Sequence, residues 1–188
     1  MKTNEYKVKG TLILDLVRMI RKNKEKNWDQ YFTSEDWKII NSKIAASAWY
    51  SIELYTKLGK ATFEVIAGKD YKLVRLAGEE IGRNFFEGIY RAVISPSNPM
   101  RSLSKFVNIY TMMFNFSPLK MESIGDTHAK LQYDYDSVGK EGNCAFAHNL
   151  TGILDTLIKM SGGKNSKILL TQKQWENAPA TVLDIQWT

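Results

Sequence analysis

The last third of the chain alternates between apolar and polar residues, and this alternation constrains the fold more than any other feature. Successive residues of a β-strand point to opposite faces, so a period of two marks a strand with one covered side. In the segment from His128 to Asp136 one face is apolar or aromatic: Ala129, Leu131, Tyr133 and Tyr135. The opposite face is polar, with His128, Lys130, Gln132, Asp134 and Asp136. The pattern predicts a strand between a core and water.

Three further segments complete a sheet around this strand. Gly125-Asp126 is a turn signal that leads back to a shorter strand, Leu119 to Ile124. The segment from Thr181 to Trp187 alternates in the same way, and Lys167 to Gln172 is its expected partner. Between these two hairpins, Cys144 to Ser161 has helical periodicity. Its apolar side holds Phe146, Leu150, Ile153, Leu154, Leu157 and Ile158. The order is therefore strand, strand, helix, strand, strand.

The chain before Leu119 is predicted to be mostly helical. A helix begins near Gly10, and Ser34 is a candidate N-cap for another. A longer apolar stripe repeats every four residues: Leu73, Ala77, Ile81, Phe85, Ile89 and Val93. The loop Ser95 to Pro99 separates it from a helix that starts at Asn98-Pro99 and ends before Pro118. The predicted fold class is α+β, with this helical layer packed on a four-stranded antiparallel sheet of ββαββ order.

Length and composition favour one soluble domain. The 188 residues suit a single domain, mainly helical over 1–118 and ββαββ over 119–188. With 44% hydrophobic and 12% aromatic residues, the chain has enough apolar side chains for a core. No apolar run approaches the ~20 residues of a membrane span. Cys144 is the single cysteine, which excludes an internal disulfide and favours a cytoplasmic protein.

The net charge of +6 does not by itself indicate nucleic-acid binding. The densest basic run lies at the end of the first predicted helix and holds Arg18, Arg21, Lys22, Lys24 and Lys26. Such a run can contact phosphates or an anionic membrane. It also suits the negative end of a helix dipole in water, which is the interpretation we favour. Neither a zinc-finger spacing nor an aromatic RNA-binding signature accompanies it, so no specific nucleic-acid partner is predicted.

The order of elements, with several short matches, resembles a ligand-binding superfamily. The matches are Lys9-Gly10-Thr11, Ala48 to Glu53, Cys144-Ala145-Phe146 running into Leu150 to Leu154, Ser161 to Lys164, and the terminal Trp187. The superfamily comprises haem nitric-oxide-binding (H-NOX) domains, 4-vinyl-reductase-type domains and small TRAPP subunits. The chain is most similar to an uncharacterised bacterial family that is abundant in myxobacteria. The resemblance covers nearly the whole chain through order and spacing.

The resemblance makes haem the first cofactor to weigh. H-NOX domains hold the iron through a histidine on the helix before the sheet and grip the propionates with a Tyr-x-Ser-x-Arg motif. The corresponding helix here, Met100 to Phe116, has no histidine, and Tyr135 to Gly139 lacks the arginine. His128 and His148 are expected to face solvent, His148 on a polar stripe with Gly152, Asp155 and Lys159. We therefore expect no cofactor and no metal.

For the other candidate functional residues we prefer a structural role to a chemical one. Cys144 is predicted at a helix N-terminus, where the dipole lowers a thiol pKa, but a lone cysteine is more often a small buried hydrophobe. Gly78 and Gly82 lie one turn apart, which indicates close helix packing, with room for a ligand as the alternative. The chain has neither a Gly-x-Ser-x-Gly motif nor a phosphate-binding glycine loop. No catalytic residue is predicted.

The sequence thus predicts a sensor or adaptor domain for signalling that is not an enzyme. A small hydrophobic ligand is expected in a pocket between helices and sheet. The expected lining is Phe106, Tyr110, Met113, Phe114, Leu131, Tyr133 and Leu183. The alternative is a protein–protein interaction scaffold, a homodimer like a TRAPP subunit, in which side chains fill that space. Trp28, Trp37 and Trp49 are candidates for such an interface.

Overall fold

A computed structural model describes residues 6–116, 118–134 and 139–188, with side chains from residue 142 onward in the last range. The described chain divides into two compact units. The N-terminal unit runs to Asp70 and includes Met113–Phe116. The C-terminal unit contains Tyr71–Met112 and the chain from Ser117 onward. The expectation of a single domain stays a prediction.

The N-terminal unit is helical with a small sheet. Its helices are α1 (Gly10–Lys22), α2 (Ser34–Asn41) and α3 (Ile52–Ala61), the last continuing into a π-helical turn over Thr62–Ile66. Strand β1 (Lys7–Lys9) pairs antiparallel with β2 (Trp49–Ser51). The sequence analysis missed this two-stranded sheet, because strands of three residues are too short to show alternation.

Side-chain caps fix where the N-terminal helices begin. Thr33, rather than the predicted Ser34, is the N-cap of α2: its Oγ1 accepts from the backbone N–H of Asp36, whose carboxylate accepts from the N–H of Thr33. This reciprocal pair is a capping box, and it satisfies two otherwise unpaired helix donors. Ser51 caps α3 by accepting from the N–H of Leu54.

The basic run after α1 is partly engaged within the N-terminal unit. Arg18 pairs with Asp15 at 2.9 Å, and the Arg21 guanidinium donates to the carbonyls of Ile40 and Ser42. Arg21 and Lys22 occupy the last turn of α1, where cations complement the helix dipole. These contacts agree with the interpretation of the run as a helix end.

The C-terminal unit has the predicted ββαββ order. Helices α4 (Tyr71–Glu87) and α5 (Pro99–Thr111) flank a short 3₁₀ turn over Arg91–Val93. Then follow β3 (Leu119–Gly125), β4 (His128–Tyr133), α6 (Gly139–Met160), β5 (Lys167–Gln172) and β6 (Thr181–Gln186). The four strands form one antiparallel sheet in the spatial order β3-β4-β6-β5. The predicted fold class is confirmed.

The strand register confirms the predicted inner face. Ala129, Leu131 and Tyr133 of β4 stand opposite Ile185, Leu183 and Thr181 of β6. All six side chains are buried. The strand ends earlier than predicted, at Tyr133, and Tyr135 and Asp136 lie outside the described residues.

The buried stripe of α4 differs from the predicted one by a single position. The buried residues are Val74, Gly78, Gly82 and Phe86, whereas Leu73 is 47% exposed and Ile89 is 82% exposed. The prediction ranked large apolar side chains above glycine. The structure instead buries the glycines, because they let the backbone of another helix approach.

Candidate functional site

The glycines of α4 bring it into backbone contact with α6. A Cβ atom at Gly78 would lie 2.1 Å from the carbonyl oxygen of Asn149, and one at Gly82 would lie 3.1 Å from the Cα of Ile153. Gly152 on α6 makes the reciprocal contact, since a Cβ atom at this position would lie 2.1 Å from the carbonyl oxygen of Arg75. Real Cβ atoms essentially never come as close as 2.1 Å, and 3.1 Å is tighter than most of their contacts. The close-packing interpretation of Gly78 and Gly82 is confirmed.

This close approach buries the side of α6 that was predicted to be polar. Gly152 and Asp155 are buried, and the Asp155 carboxylate accepts from Lys159 at 2.9 Å, from Arg75 of α4 at 3.3 Å and from the Ser166 hydroxyl. Burial acts to raise the pKa of Asp155, but the hydrogen bonds from Ser166 and Lys159 and the nearby cations outweigh it and leave the pKa lowered. The solvent-facing stripe was therefore wrong at these positions.

All seven residues of the predicted ligand pocket are buried, but they fall in both units. Phe106, Tyr110, Leu131, Tyr133 and Leu183 belong to the C-terminal unit, each at most 5% exposed. Met113 and Phe114 belong to the N-terminal unit, where the Met113 carbonyl accepts from the N–H of Lys9 at 2.8 Å. The pocket itself stays a prediction.

Within the C-terminal unit the predicted lining residues contact other rings. The ring centroid of Phe106 lies 5.1 Å from that of Tyr110 and 6.0 Å from that of Phe86. These separations are typical of packed aromatic pairs. The ring of Tyr133 meets that of Phe146 at 5.1 Å.

The Tyr133 hydroxyl begins a chain of side-chain hydrogen bonds at the end of the sheet. It donates to Asn143 Oδ1 at 2.8 Å, Asn143 Nδ2 donates to Gln174 Oε1 at 2.7 Å, and Gln174 Nε2 donates to Asp134 Oδ1 at 2.8 Å. Burial raises the pKa of Tyr133, so the phenol stays protonated. This network ties α6 to the sheet next to a predicted lining residue.

His128 and His148 were both expected to face solvent, but each of them contacts another side chain. His128 Nε2 lies 3.0 Å from the Asp184 carboxylate on β6. The ring of His148 is half-buried and stacks on Tyr71, with centroids 4.9 Å apart. Burial lowers the pKa of His148, with Arg75 and Lys173 adding to the effect, so its neutral form is favoured.

Cys144 lies in the second turn of α6, because the helix begins five residues before it at Gly139. Its side chain is buried, and burial raises the pKa of the thiol. A protonated buried thiol is a poor nucleophile. The interpretation of Cys144 as a small buried hydrophobe is the one that the structure supports.

A cleft of about 440 Å³ opens in the C-terminal unit, where α4 and α6 end. Its lining is Phe86, Glu87, Arg91, Ile94, Pro96 and Met160. Phe86 is the last buried residue of α4, and Met160 is the last residue of α6. Sequence reasoning missed this cleft. The one signal was the predicted loop Ser95 to Pro99, which contributes Pro96 to the lining.

The described residues offer neither a metal cluster nor a membrane span. Nowhere in these ranges do three or more His, Cys, Asp or Glu side chains come together to hold a metal ion. No described helix combines the length and hydropathy needed to cross a bilayer.

The fold is similar to that of solved H-NOX proteins. The Fe(II) unliganded H-NOX protein from K. algicida matches with a TM-score of 0.63 and 11% identity, over 96% of this chain and 96% of that one. An H-NOX protein from S. oneidensis in the Fe(II)NO ligation state matches with a TM-score of 0.62 and 10% identity, over 96% and 99%. A structure concerned with protein-induced porphyrin distortion and haem redox potential matches with a TM-score of 0.58 and 12% identity, over 96% and 99%. No protein-family model and no curated protein matches the chain.

These neighbours correct the expectation that the chain takes no cofactor. They are H-NOX structures, described with Fe(II), with Fe(II)NO or with haem, so the absence of a cofactor cannot be inferred for this fold. That expectation was wrong because it treated the missing histidine and the missing propionate arginine as decisive for the whole fold.

The histidines of this chain nevertheless do not lie where the resemblance to H-NOX domains would place the iron ligand. Helix α5 carries no histidine within its described range, Pro99–Thr111. The imidazoles of the described chain stand instead on β4, beside Asp184, and on α6, beside Tyr71. Tyr135–Val138, most of the segment compared with the propionate motif, lies outside the described residues. The side chains of α5 therefore do not repeat the histidine ligation of H-NOX domains, and the comparisons establish for this chain an H-NOX-like fold.

Proposed function

We propose that this protein is a non-catalytic sensor domain that binds a small hydrophobic ligand. The observation that carries the proposal is the fold, which matches solved H-NOX structures over 96% of the chain. In those structures the fold serves proteins that hold Fe(II), NO or haem. We place the ligand among the predicted lining residues of the C-terminal unit, with the cytoplasm as the site of action.

The character of the lining supports an apolar ligand. The five predicted residues of the C-terminal unit are apolar or aromatic and almost fully buried. The Tyr133 hydroxyl is a polar group among them, and it is fixed by Asn143. A mostly apolar wall with an oriented polar group is typical of sites for small molecules.

A titration with an uncharged fluorescent probe, N-phenyl-1-naphthylamine, tests the proposal. We expect a saturable rise in probe fluorescence that reports one site per chain. Tyr110→Trp adds bulk to a side chain that is 5% exposed, so it should weaken the binding of the probe. Met112→Trp, at a position that is 73% exposed, should leave the binding of the probe unchanged. The same titration with hemin, followed by its absorption band, determines whether haem is an accepted ligand.

The second candidate function is a scaffold for protein partners or a homodimer. It is favoured by the exposed apolar side chains of α4, with Leu73 47% and Leu76 57% exposed. Unresponsive probe and hemin titrations, together with a dimer in analytical ultracentrifugation, would favour the scaffold. A Leu76→Lys variant should then become monomeric.

A further inference from the structure

The cleft at the ends of α4 and α6 has an apolar floor and two opposite charges at its mouth. Phe86, Ile94, Pro96 and Met160 are the apolar part of the lining; Phe86 is fully buried, Ile94 and Met160 are partly buried, and Pro96 is exposed. Glu87 and Arg91 complete the lining, and both are exposed. The volume of about 440 Å³ falls within the roughly 300–1,000 Å³ of small-molecule sites.

Neither of these two charged side chains has an ion-pair or hydrogen-bond partner among the described residues. Glu87 and Arg91 are four positions apart, yet the described residues contain no ion pair between them. Neither side chain makes a hydrogen bond to another described residue. By contrast, Glu80 and Arg83 on the same helix pair with each other at 3.8 Å. The cleft thus presents one free carboxylate and one free guanidinium.

The position of Glu87 is also unfavourable for the helix that carries it. Glu87 is the last residue of α4, and the last turn of α4 has no basic residue. A carboxylate at this end faces the negative pole of the helix dipole. A bound cation next to Glu87 would relieve this repulsion, whereas a bound anion next to Glu87 would add to it.

We propose that this cleft binds an apolar α-amino acid. The ammonium group of such a molecule pairs with Glu87, its carboxylate pairs with Arg91, and its side chain packs on Phe86, Ile94 and Met160. A plain fatty acid would leave Glu87 unpaired beside a second carboxylate, and a plain amine would leave Arg91 unpaired. A molecule with both charges and an apolar side chain matches every part of the lining. This site is distinct from the pocket in the proposed function, although Phe86 packs on Phe106 of that lining.

The test follows the methyl signal of Met160 by NMR in protein labelled at the methionine methyl groups. The chain has seven methionines, and Met160→Leu identifies the signal from the cleft. The added compounds are L-phenylalanine, 3-phenylpropionate (which lacks the ammonium) and phenethylamine (which lacks the carboxylate). We expect L-phenylalanine to shift the Met160 signal saturably. Each analogue loses one ion pair and should bind about fivefold more weakly or worse.

Single variants assign each charge. Glu87→Gln should weaken the binding of L-phenylalanine about fivefold and should not weaken that of 3-phenylpropionate, because it removes a like charge from beside that carboxylate. Arg91→Gln should weaken the binding of L-phenylalanine and 3-phenylpropionate about fivefold and should not weaken that of phenethylamine. Glu80→Gln and Arg83→Gln are the matched controls, since they lie on α4 outside the cleft, and should change neither affinity. The inference is overturned if L-phenylalanine leaves the Met160 signal unmoved, if either analogue binds as tightly, or if the cleft variants behave like the controls.

Discussion

Gly78 on α4 lies so close to Asn149 on α6 that a Cβ atom at position 78 would be 2.1 Å from the Asn149 carbonyl oxygen. The neighbouring atom is backbone, so it cannot rotate away as the end of a side chain does. The contact also explains why α6 is buried on the side facing α4. Glycine is therefore required here by the neighbouring helix, although it is a poor helix former.

Gly78→Ala tests this contact. We expect the free energy of unfolding to fall by about 1–3 kcal/mol, because the added methyl group forces the two helices apart. Gly59→Ala is the matched control: Gly59 lies in α3 with nothing within 4 Å of its Cβ position. The control should raise the free energy of unfolding by up to about 1 kcal/mol, as alanine favours helix. Urea denaturation followed by circular dichroism measures both, and equal changes would contradict the account.

Asp155→Asn should destabilise the C-terminal unit by about 2–3 kcal/mol. The change removes the charge that Arg75 and Lys159 share at 3.3 and 2.9 Å, at a side chain that is 6% exposed. Asp15→Asn is its control, because the Asp15–Arg18 pair is exposed and should be worth less than about 1 kcal/mol. Denaturant unfolding at neutral pH compares the two.

The effect of Asp155 should also depend on pH. Its pKa is lower in the folded chain than in the unfolded one, so its charge stabilises the fold above the unfolded value of about 3.9. That contribution is lost as the pH falls through the folded value. The stability difference between the natural chain and Asp155→Asn should therefore shrink below about pH 4. A constant difference between pH 3 and pH 7 would show that the charge of Asp155 is not responsible.

Ser95 and Ser102 should respond to alanine in opposite directions. Ser95 is buried, and its Oγ has no hydrogen-bond partner among the described residues. Ser95→Ala therefore removes a buried polar group without breaking a hydrogen bond of that group. Ser102 Oγ accepts from the N–H of Ser95 at 2.8 Å and donates to the Asn98 carbonyl at 3.2 Å. We expect Ser95→Ala to be neutral or stabilising by about 1 kcal/mol and Ser102→Ala to cost about 1–2 kcal/mol. Thermal unfolding distinguishes them, and a loss from Ser95→Ala larger than that from Ser102→Ala would refute the assignment.

Cys144 should react slowly with iodoacetamide in the folded protein. The thiol is buried and its pKa is raised, so little thiolate is present near neutral pH. Unfolding in urea should restore the rate of an ordinary cysteine, which mass spectrometry measures as the fraction alkylated with time. A fast reaction of the native protein at pH 7 would indicate an activated thiol instead.

The sheet could be predicted from the sequence because its alternation is simple. Ala129, Leu131 and Tyr133 needed only a period of two to be placed on the inner face. The helix pair α4–α6 could not be predicted in the same way, since its contact depends on glycines. A pattern of large apolar residues assigns Leu73 and Ile89 to the core, whereas the structure exposes both.

The candidate sites were harder to predict than the fold. Five of the six lining residues of the cleft lie between Phe86 and Pro96, and the sixth, Met160, ends α6. The five are divided among a helix end, a 3₁₀ turn and a loop, so no single periodic pattern marks the cleft. The expectation about cofactors failed for a related reason. It depended on a missing histidine in one helix and a missing arginine in one short segment, while the similarity to H-NOX structures extends over 96% of the chain.

Native mass spectrometry of the freshly purified protein, with an absorption spectrum of the same sample, determines whether the protein carries a small ligand. We expect a mass above that of the bare chain, with the excess released on denaturation, because the proposed ligand is held within the protein. A Soret band in that spectrum would identify the ligand as haem. A chain that carries no added mass, with neither the naphthylamine probe nor hemin binding afterwards, would contradict the proposal of a ligand-binding sensor.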